Sequence, residues 1–339
     1  MIRAWAAKEQ GGALERHDYD PGPLPADEVE IAVETCGLCH SDVSLVDNEW
    51  FVSEYPLVPG HEVIGRVESV GAAVNHLKPG DRVGVGWFAQ SCMTCHTCMS
   101  GDHNMCDDAK GVAAAHQGRF GGFAEKVRAQ AAWAIKLPES VDAAKAGPLF
   151  CGGITVFNPI VQNNIKPTDK VGVIGIGGLG HMAVKFLRAW GCEVTAFTST
   201  DAKAEEARAF GAHRIVNSRD KDALKAEKGR YDMVLSTVNV PLDWARYINA
   251  LAPRGKLHMV GAVMDPVPVM APSLFGNQRS VTGSAVGSPA TIATMLDFCA
   301  RHDIAPQTEH LPMSKINEAI DRLKKGDVRY RFVLENDFD

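Results

Sequence analysis

No stretch of the sequence approaches the roughly 18 uninterrupted apolar residues that a membrane-spanning helix requires, and the glycine-rich stretch from Val171 to Gly180 is far too short. There is no excess of basic charge either. Thirty-five Lys and Arg stand against 41 Asp and Glu, a net charge of −6, which argues against a dedicated nucleic-acid binder that presents a basic face. The first ten residues, Met1 to Gln10, carry charge and a Trp and no run of small apolar residues ending at a cleavage site, so no secretory signal is expected and the chain reads as cytoplasmic and free of membrane. Internal repeats and low-complexity linkers are lacking. Nine cysteines are too few to form a disulfide scaffold.

What is present is ordinary for a globular enzyme. At 339 residues, 45% hydrophobic and 22% charged, the chain excludes a disordered or collagen-like protein and suggests two domains at roughly 150 residues each. From Glu28 to about Lys136 it reads as short strands broken by turns: Glu30 to Glu34 and Gly65 to Val70 alternate, and Pro79-Gly80-Asp81 turns into Arg82 to Val85. At Val171 the pattern changes. A strand to Ile174 leads through a glycine turn into a helix, Met182 to Trp190, and on to strands at Glu193 to Phe197, His213 to Val216, Met233 to Ser236 and Lys256 to Val260, with a helix at Ala202 to Phe210. This alternation predicts parallel pairing in a doubly wound α/β sheet. Helices are expected at Thr291 to His302 and Ser314 to Lys325, and a last strand, Tyr330 to Leu334, that pairs back onto the first domain.

The turn Gly175-Ile176-Gly177-Gly178-Leu179-Gly180 lies between strand and helix, as a dinucleotide fingerprint requires. The first glycine permits the turn, the second lets backbone approach a pyrophosphate, and the third lets helix pack on strand. About twenty residues on, where an NAD site carries Asp or Glu, this chain has Thr198-Ser199-Thr200 with Lys203 one turn later. Hydroxyls and an ammonium suit a 2′-phosphate, which predicts NADP(H). The competing reading is that Ser199 or Thr200 caps the following helix.

Four of the cysteines, Cys92, Cys95, Cys98 and Cys106, fall on one loop. They suffice for a closed tetrahedral zinc sphere, whose binding energy becomes folding energy, roughly 10–16 kcal/mol in small zinc-finger peptides. An iron–sulfur reading fits less well, since seven residues rather than three separate Cys98 from Cys106 and no Pro follows. A second set is scattered: Cys39 within Cys36-Gly37-Leu38-Cys39-His40-Ser41-Asp42, His61-Glu62 after Pro59-Gly60, and Cys151 before Gly152-Gly153. Taken singly, a lone Cys is usually core packing and a lone His usually a hydrogen-bonded side chain.

With these motifs, and with Asn48-Glu49-Trp50, Tyr55 to Glu62 and Cys151 to Thr155 in the same order, the sequence resembles the zinc-dependent medium-chain alcohol dehydrogenases, and within them the cinnamyl alcohol dehydrogenase branch, over essentially its whole length. The resemblance implies a GroES-like, mostly β catalytic domain (1–148 and 284–339) split around a Rossmann NADP-binding domain (149–283). It also implies a catalytic zinc held by Cys39, His61 and Cys151, with Glu62 as an alternate ligand and Asp42 bonded behind His61. Ser41 is expected to bond the reacting oxygen and shuttle its proton, and Thr155 to lie near the nicotinamide. Many relatives carry an outer-relay His where this chain has Ser44, so the proton is expected to leave through the cofactor ribose and water. Trp50, Trp87 and Phe88 are candidates for an apolar substrate wall, and Ala285, where relatives often have a bulky aromatic, would widen it.

The activity implied is an NADP(H)-linked alcohol dehydrogenase or aldehyde reductase acting on a small aryl or alkyl substrate, in a homodimer. The alternatives are a polyol dehydrogenase of the same superfamily and a non-catalytic nucleotide- or zinc-binding protein on the same fold.

Overall fold

The structure is a computed structural model, described for residues 1–113 and 119–338. The chain divides into two compact units, Met1–Ile154 with Gly287–Asp339, and Thr155–Val286. Both divisions fall a few residues beyond the expected ones, the first inside the helix Gly152–Gln162.

The first unit is built on a seven-stranded sheet. Its path runs Thr308–Pro312, Arg331–Glu335, Glu28–Leu38, Val63–Val70, Arg82–Val85 and Ile135–Lys136, with Lys126–Gln130 also paired to Glu28–Leu38. The apolar side chains of these strands, Val29, Ile31, Val33, Val63, Val67, Val83 and Val85 among them, pack into one core with Phe332 and Leu334 of the last strand. That strand does return to the first unit: it lies antiparallel to Glu28–Leu38, Phe332 opposite Leu38 and Leu334 opposite Cys36. An N-terminal hairpin, Ile2–Ala7 with Leu14–Tyr19, goes beyond the sequence reading; its second strand, Leu-Glu-Arg-His-Asp-Tyr, is too polar to signal itself.

The second unit carries a six-stranded parallel sheet in the order Arg214–Asn217, Glu193–Thr198, Lys170–Ile174, Tyr231–Ser236, Leu251–Met259, Ser280–Gly283. Numbered along the sheet this is 3-2-1-4-5-6, two mononucleotide-binding halves that reverse direction between Lys170–Ile174 and Tyr231–Ser236. Ser280–Gly283 goes beyond the five strands legible in the sequence, because Ser-Val-Thr-Gly has one apolar residue to mark it. Among the described residues no helix is long and apolar enough to cross a membrane.

Candidate active site and metal centres

Cys39 ends the long strand Glu28–Leu38 and caps the helix His40–Val46, so the third residue beyond it, Asp42, faces back across the turn. One Asp42 oxygen accepts the Cys39 backbone N–H at 2.9 Å. The other accepts the Gly60 N–H at 2.8 Å and stands 2.8 Å from His61 Nδ1. A single buried carboxylate thus fixes the backbone that precedes one sulfur ligand and the ring of the imidazole ligand. Gly60, at φ +101°, is required there: a Cβ would come within 2.7 Å of the Phe123 backbone nitrogen.

His61 Nε2 lies 3.2 Å from Cys151 Sγ, and Cys151 Sγ lies 3.9 Å from Cys39 Sγ. Donor atoms of Cys39, His61, Glu62 and Cys151 all fall within 4.8 Å of one another, and all four residues are buried. Tetrahedral zinc with bonds of about 2.3 Å sets two sulfurs about 3.8 Å apart, so the donor set fits that ion. Three of the four are the soft and imidazole ligands zinc prefers. Neither Glu62 oxygen has a hydrogen-bond partner among the described residues.

Charge in this dry site is strongly coupled. The hydrogen bond with Cys151, opposed by burial and helped by Arg331 and His61, holds the Cys39 thiol well below its usual pKa. Burial opposes a proton on His61, but Asp42 raises its affinity well above that of a free imidazole. Burial pushes Glu62 up to about 7 against the pull of Arg331. The guanidinium of Arg331 stands 3.4 Å from Glu62 Oε1, with both side chains buried. Arg331 goes beyond the sequence reading, since it opens an apolar strand far along the chain with no motif around it. Glycines make room for Glu62: a Cβ on Gly37 would fall 2.0 Å from its Oε2, and one on Gly147 2.6 Å from its carbonyl oxygen.

The four-cysteine loop forms a second centre. Cys92 and Cys98 sulfurs are 3.9 Å apart, as are those of Cys95 and Cys106, again the tetrahedral edge. Backbone N–H groups of Cys95 and Cys98 donate to the sulfurs of Cys92 and Cys95. Hydrogen bonds from the backbone at Thr94 and Cys95 lower the Cys92 thiol to about 6. All four coordination positions are protein sulfur, which suits a structural rather than a catalytic ion.

Trp87 meets the His61 ring edge-on at 4.9 Å between centroids, and Trp50 meets Trp87 at 6.0 Å. Phe88 points elsewhere along its strand, its ring 5.6 Å from that of Trp133. Ser41 is partly exposed and makes no side-chain hydrogen bond among the described residues. Ser44 is buried and donates to Glu49 at 2.6 Å.

In the second unit the glycine turn combines close packing at its ends with open space at its middle. Gly175 has φ +85°, and a Cβ on Gly180 would fall 1.8 Å from the Gly175 carbonyl oxygen. A Cβ on Gly177 meets nothing within 4 Å, which leaves an open cradle in front of the helix Gly180–Trp190. Gly178 and Leu179 complete the turn, with Leu179 as the helix N-cap. Thr200 caps the helix Asp201–Ala209 by accepting the Lys203 N–H at 3.4 Å, so the capping reading holds for its hydroxyl. Thr198 is buried with its hydroxyl unpartnered among the described residues, Ser199 is partly exposed, and Lys203 is exposed. Thr155 lies buried in the first turn of Gly152–Gln162.

Two family models match the chain: the alcohol dehydrogenase GroES-like domain over residues 25–139 and the zinc-binding dehydrogenase domain over residues 178–301. A curated relative, the aldehyde reductase AdhA of Synechocystis sp., is 54% identical over 99% of both chains. Among solved structures, a cinnamyl alcohol dehydrogenase from Sorghum bicolor superimposes with a TM-score of 0.93 at 38% identity, covering 98% of this chain and 97% of that one. One from Helicobacter pylori, complexed with NADP(H), gives 0.89 at 28% identity with the same coverage.

Proposed function

Since the chain belongs to the zinc-dependent medium-chain dehydrogenase/reductase family, related to the cinnamyl alcohol dehydrogenases, and is an oxidoreductase of alcohols and aldehydes, we propose that it is an NADP(H)-dependent aldehyde reductase of small aryl and alkyl aldehydes. The observation that carries the reading is the convergence of Cys39, His61, Glu62 and Cys151 in one buried cluster, on a chain that also carries the glycine cradle. NADP(H) is favoured by the hydroxyls of Ser199 and Thr200 and the exposed ammonium of Lys203, where a carboxylate would repel a 2′-phosphate; the Thr198 hydroxyl is buried and stands apart from them. The name of the Synechocystis relative and the NADP(H) in the Helicobacter structure point the same way.

Zinc, when bound by Cys39, His61 and Cys151, supplies Lewis acidity toward the alcohol or carbonyl oxygen, and the nicotinamide supplies or takes the hydride. The chain's own residues do the rest. Asp42 holds His61 in the tautomer that leaves Nε2 free as a ligand atom. Glu62 is an alternate ligand, its charge balanced by Arg331. Ser41 has an uncommitted hydroxyl with which to bond the reacting oxygen and pass on its proton. Ser44 is held by Glu49 and takes no part as a base, so the ribose of a bound cofactor and water would supply the onward acceptors for the proton that Ser41 passes on. Trp87 and Trp50 form the apolar wall beside His61 that excludes water and receives an aryl or alkyl group. The reading includes a homodimer, tested by light scattering.

The test is zinc per chain in protein purified without chelator, beside Cys39→Ala, with NADPH and NADH oxidation followed on cinnamaldehyde, benzaldehyde and a ketose. Two zincs falling to one with activity lost, and a higher kcat/KM for NADPH on the aldehydes, are expected. Active wild-type enzyme with one zinc or none would overturn the mechanism. A preference for NADH would overturn the cofactor assignment, and a preference for the ketose would favour a polyol dehydrogenase.

A further inference from the structure

His258 is wholly buried in the strand Leu251–Met259, yet every polar atom of its ring is engaged. Nδ1 lies 3.1 Å from Asn163 Nδ2 and 2.9 Å from Thr282 Oγ1, and Nε2 lies 2.9 Å from Ser284 Oγ. The direction of each bond can be read from one end. Asn163 Nδ2 also sits 2.9 Å from the Pro159 carbonyl oxygen, which can only accept, so this atom is the amide nitrogen and donates on both sides. His258 Nδ1 is therefore an acceptor, and the Thr282 hydroxyl also donates to it. The proton of the neutral ring is then on Nε2, which donates to Ser284. Burial, with the nearby Lys256 ammonium, lowers the His258 pKa to about 4 and keeps the ring neutral at physiological pH. With its oxygen accepting from His258, Ser284 must send its own O–H elsewhere.

Ser284 follows Gly283 at the carboxyl end of the last strand, tied to the neighbouring strand by its N–H to the Met259 carbonyl, and is partly exposed. In a doubly wound sheet the dinucleotide lies outside the carboxyl ends of the strands. The half that begins with the glycine turn takes the pyrophosphate and adenosine, and the half containing Tyr231–Ser236, Leu251–Met259 and Ser280–Gly283 takes the other nucleotide. We propose that His258 is a positioning residue that presets the Ser284 hydroxyl as a hydrogen-bond donor to the carboxamide oxygen of the nicotinamide, an inference that rests on the nucleotide-binding reading above. Ser284 is the group that touches the cofactor; His258 acts through it.

Cofactor affinity in the full-length enzyme separates this role from a packing role. The probes are NADPH, its 3-acetylpyridine analogue, which keeps the carbonyl oxygen and lacks the amide N–H₂, and 2′-phospho-ADP-ribose, which lacks the ring altogether. His258→Leu and Ser284→Ala are each expected to raise the Kd of the first two about 3- to 10-fold, the worth of one hydrogen bond, and to leave that of the third unchanged. The double variant should be no worse than either single one, because the two residues make one contact. His258→Gln, whose amide can supply the Nε2–H donor, should restore binding to within about twofold. If His258→Leu does not fold, the Ser284→Ala and His258→Gln arms decide alone. Losses that multiply, an equal loss with 2′-phospho-ADP-ribose, an acetylpyridine analogue insensitive to Ser284→Ala, or an unchanged Kd would each overturn the proposal. Wild-type enzyme that fails to bind 2′-phospho-ADP-ribose would overturn the nucleotide reading itself; normal binding of it, with any of the other patterns, would overturn the role of His258 alone.

Discussion

The Asp42 carboxylate and the His61 imidazole lie 2.8 Å apart in a place without solvent, and the same carboxylate also receives the backbone N–H groups of Cys39 and Gly60. Asp42 touches no metal position itself, yet it orients two of the three ligands. Replacing it by Asn removes the charge that makes His61 a stronger ligand and leaves a donor facing a donor in one of these contacts. Zinc affinity at the Cys39 site should fall about 10- to 100-fold, measured by chelator competition, while the four-cysteine site keeps its ion.

The ion pair of Arg331 and Glu62 is buried on both sides. Removing one member leaves an uncompensated charge in the interior, which costs about 3–5 kcal/mol. Arg331→Met should lower the unfolding free energy by about that amount in denaturant titration. The double variant Glu62→Gln with Arg331→Met should lose less than the two single losses added together, because no unpaired charge remains.

The two ends of the glycine turn should respond oppositely to the same methyl group. At Gly180 a Cβ strikes the Gly175 carbonyl oxygen, so Gly180→Ala should destabilise the second unit by about 1–3 kcal/mol or more, seen as a lower thermal midpoint. At Gly177 the methyl meets nothing, so Gly177→Ala should fold with a stability change of about 1 kcal/mol or less. Its cost should appear in NADPH affinity, followed by cofactor fluorescence, because the methyl stands in the open cradle.

Burial of neutral His258 makes stability depend on pH with a definite sign. Its folded pKa, about 4, lies below the unfolded value of 6.5, so the unfolded chain binds the proton more readily. Lys256 is the charged group that acts on it. The contribution is constant above about pH 6.5, and stability falls as pH drops from there toward 4, by a few kcal/mol at most. In urea titrations across that window His258→Gln should show a shallower decline than the wild type.

The four-cysteine loop should be separable from catalysis in metal content but not in stability. Cys106→Ser is expected to reduce two zincs per chain to one and to lower the thermal midpoint. The ion that remains should be the one that Cys39→Ala removes, which metal analysis of the two single variants and their combination can establish.

Much of this arrangement was legible in the sequence, for reasons that differ from residue to residue. The four-cysteine loop and the glycine turn are local: their chemistry depends on spacing within a few positions, and the structure keeps those spacings in one loop and one strand–turn–helix unit. Cys39, His61 and Cys151 are far apart in the chain, and only the order of several motifs linked them. Arg331 and His258 had no such signal. Arg331 opens its strand and His258 lies within one, positions where a polar residue usually marks the solvent face, and here each is buried beside a specific partner, Glu62 or Ser284. The hairpin strand Leu14–Tyr19 and the strand Ser280–Gly283 carry no signal for the opposite reason: their residues are too polar or too few to alternate, and pairing with a neighbour holds them extended. Phe88 shares with Trp87 its nearness to the zinc-site motifs in the sequence, yet its ring lies against Trp133 while that of Trp87 meets His61.

The strand that delivers Arg331 to Glu62 is paired directly with Glu28–Leu38, so its partner leaves the ribosome long before it does. At synthesis rates of 5–20 residues per second, roughly 15–60 s separate the two strands. Before the last strand emerges the Thr155–Val286 unit has all its strands and can fold, while the earlier sheet, its Glu28–Ala32 edge already covered by Lys126–Gln130, waits with an exposed edge at Thr35–Leu38 and with Glu62 lacking its cation. The nascent chain is therefore most vulnerable to wrong pairing along that edge, and the metal-binding pocket reaches its final electrostatic state only when the last strand of the chain closes it.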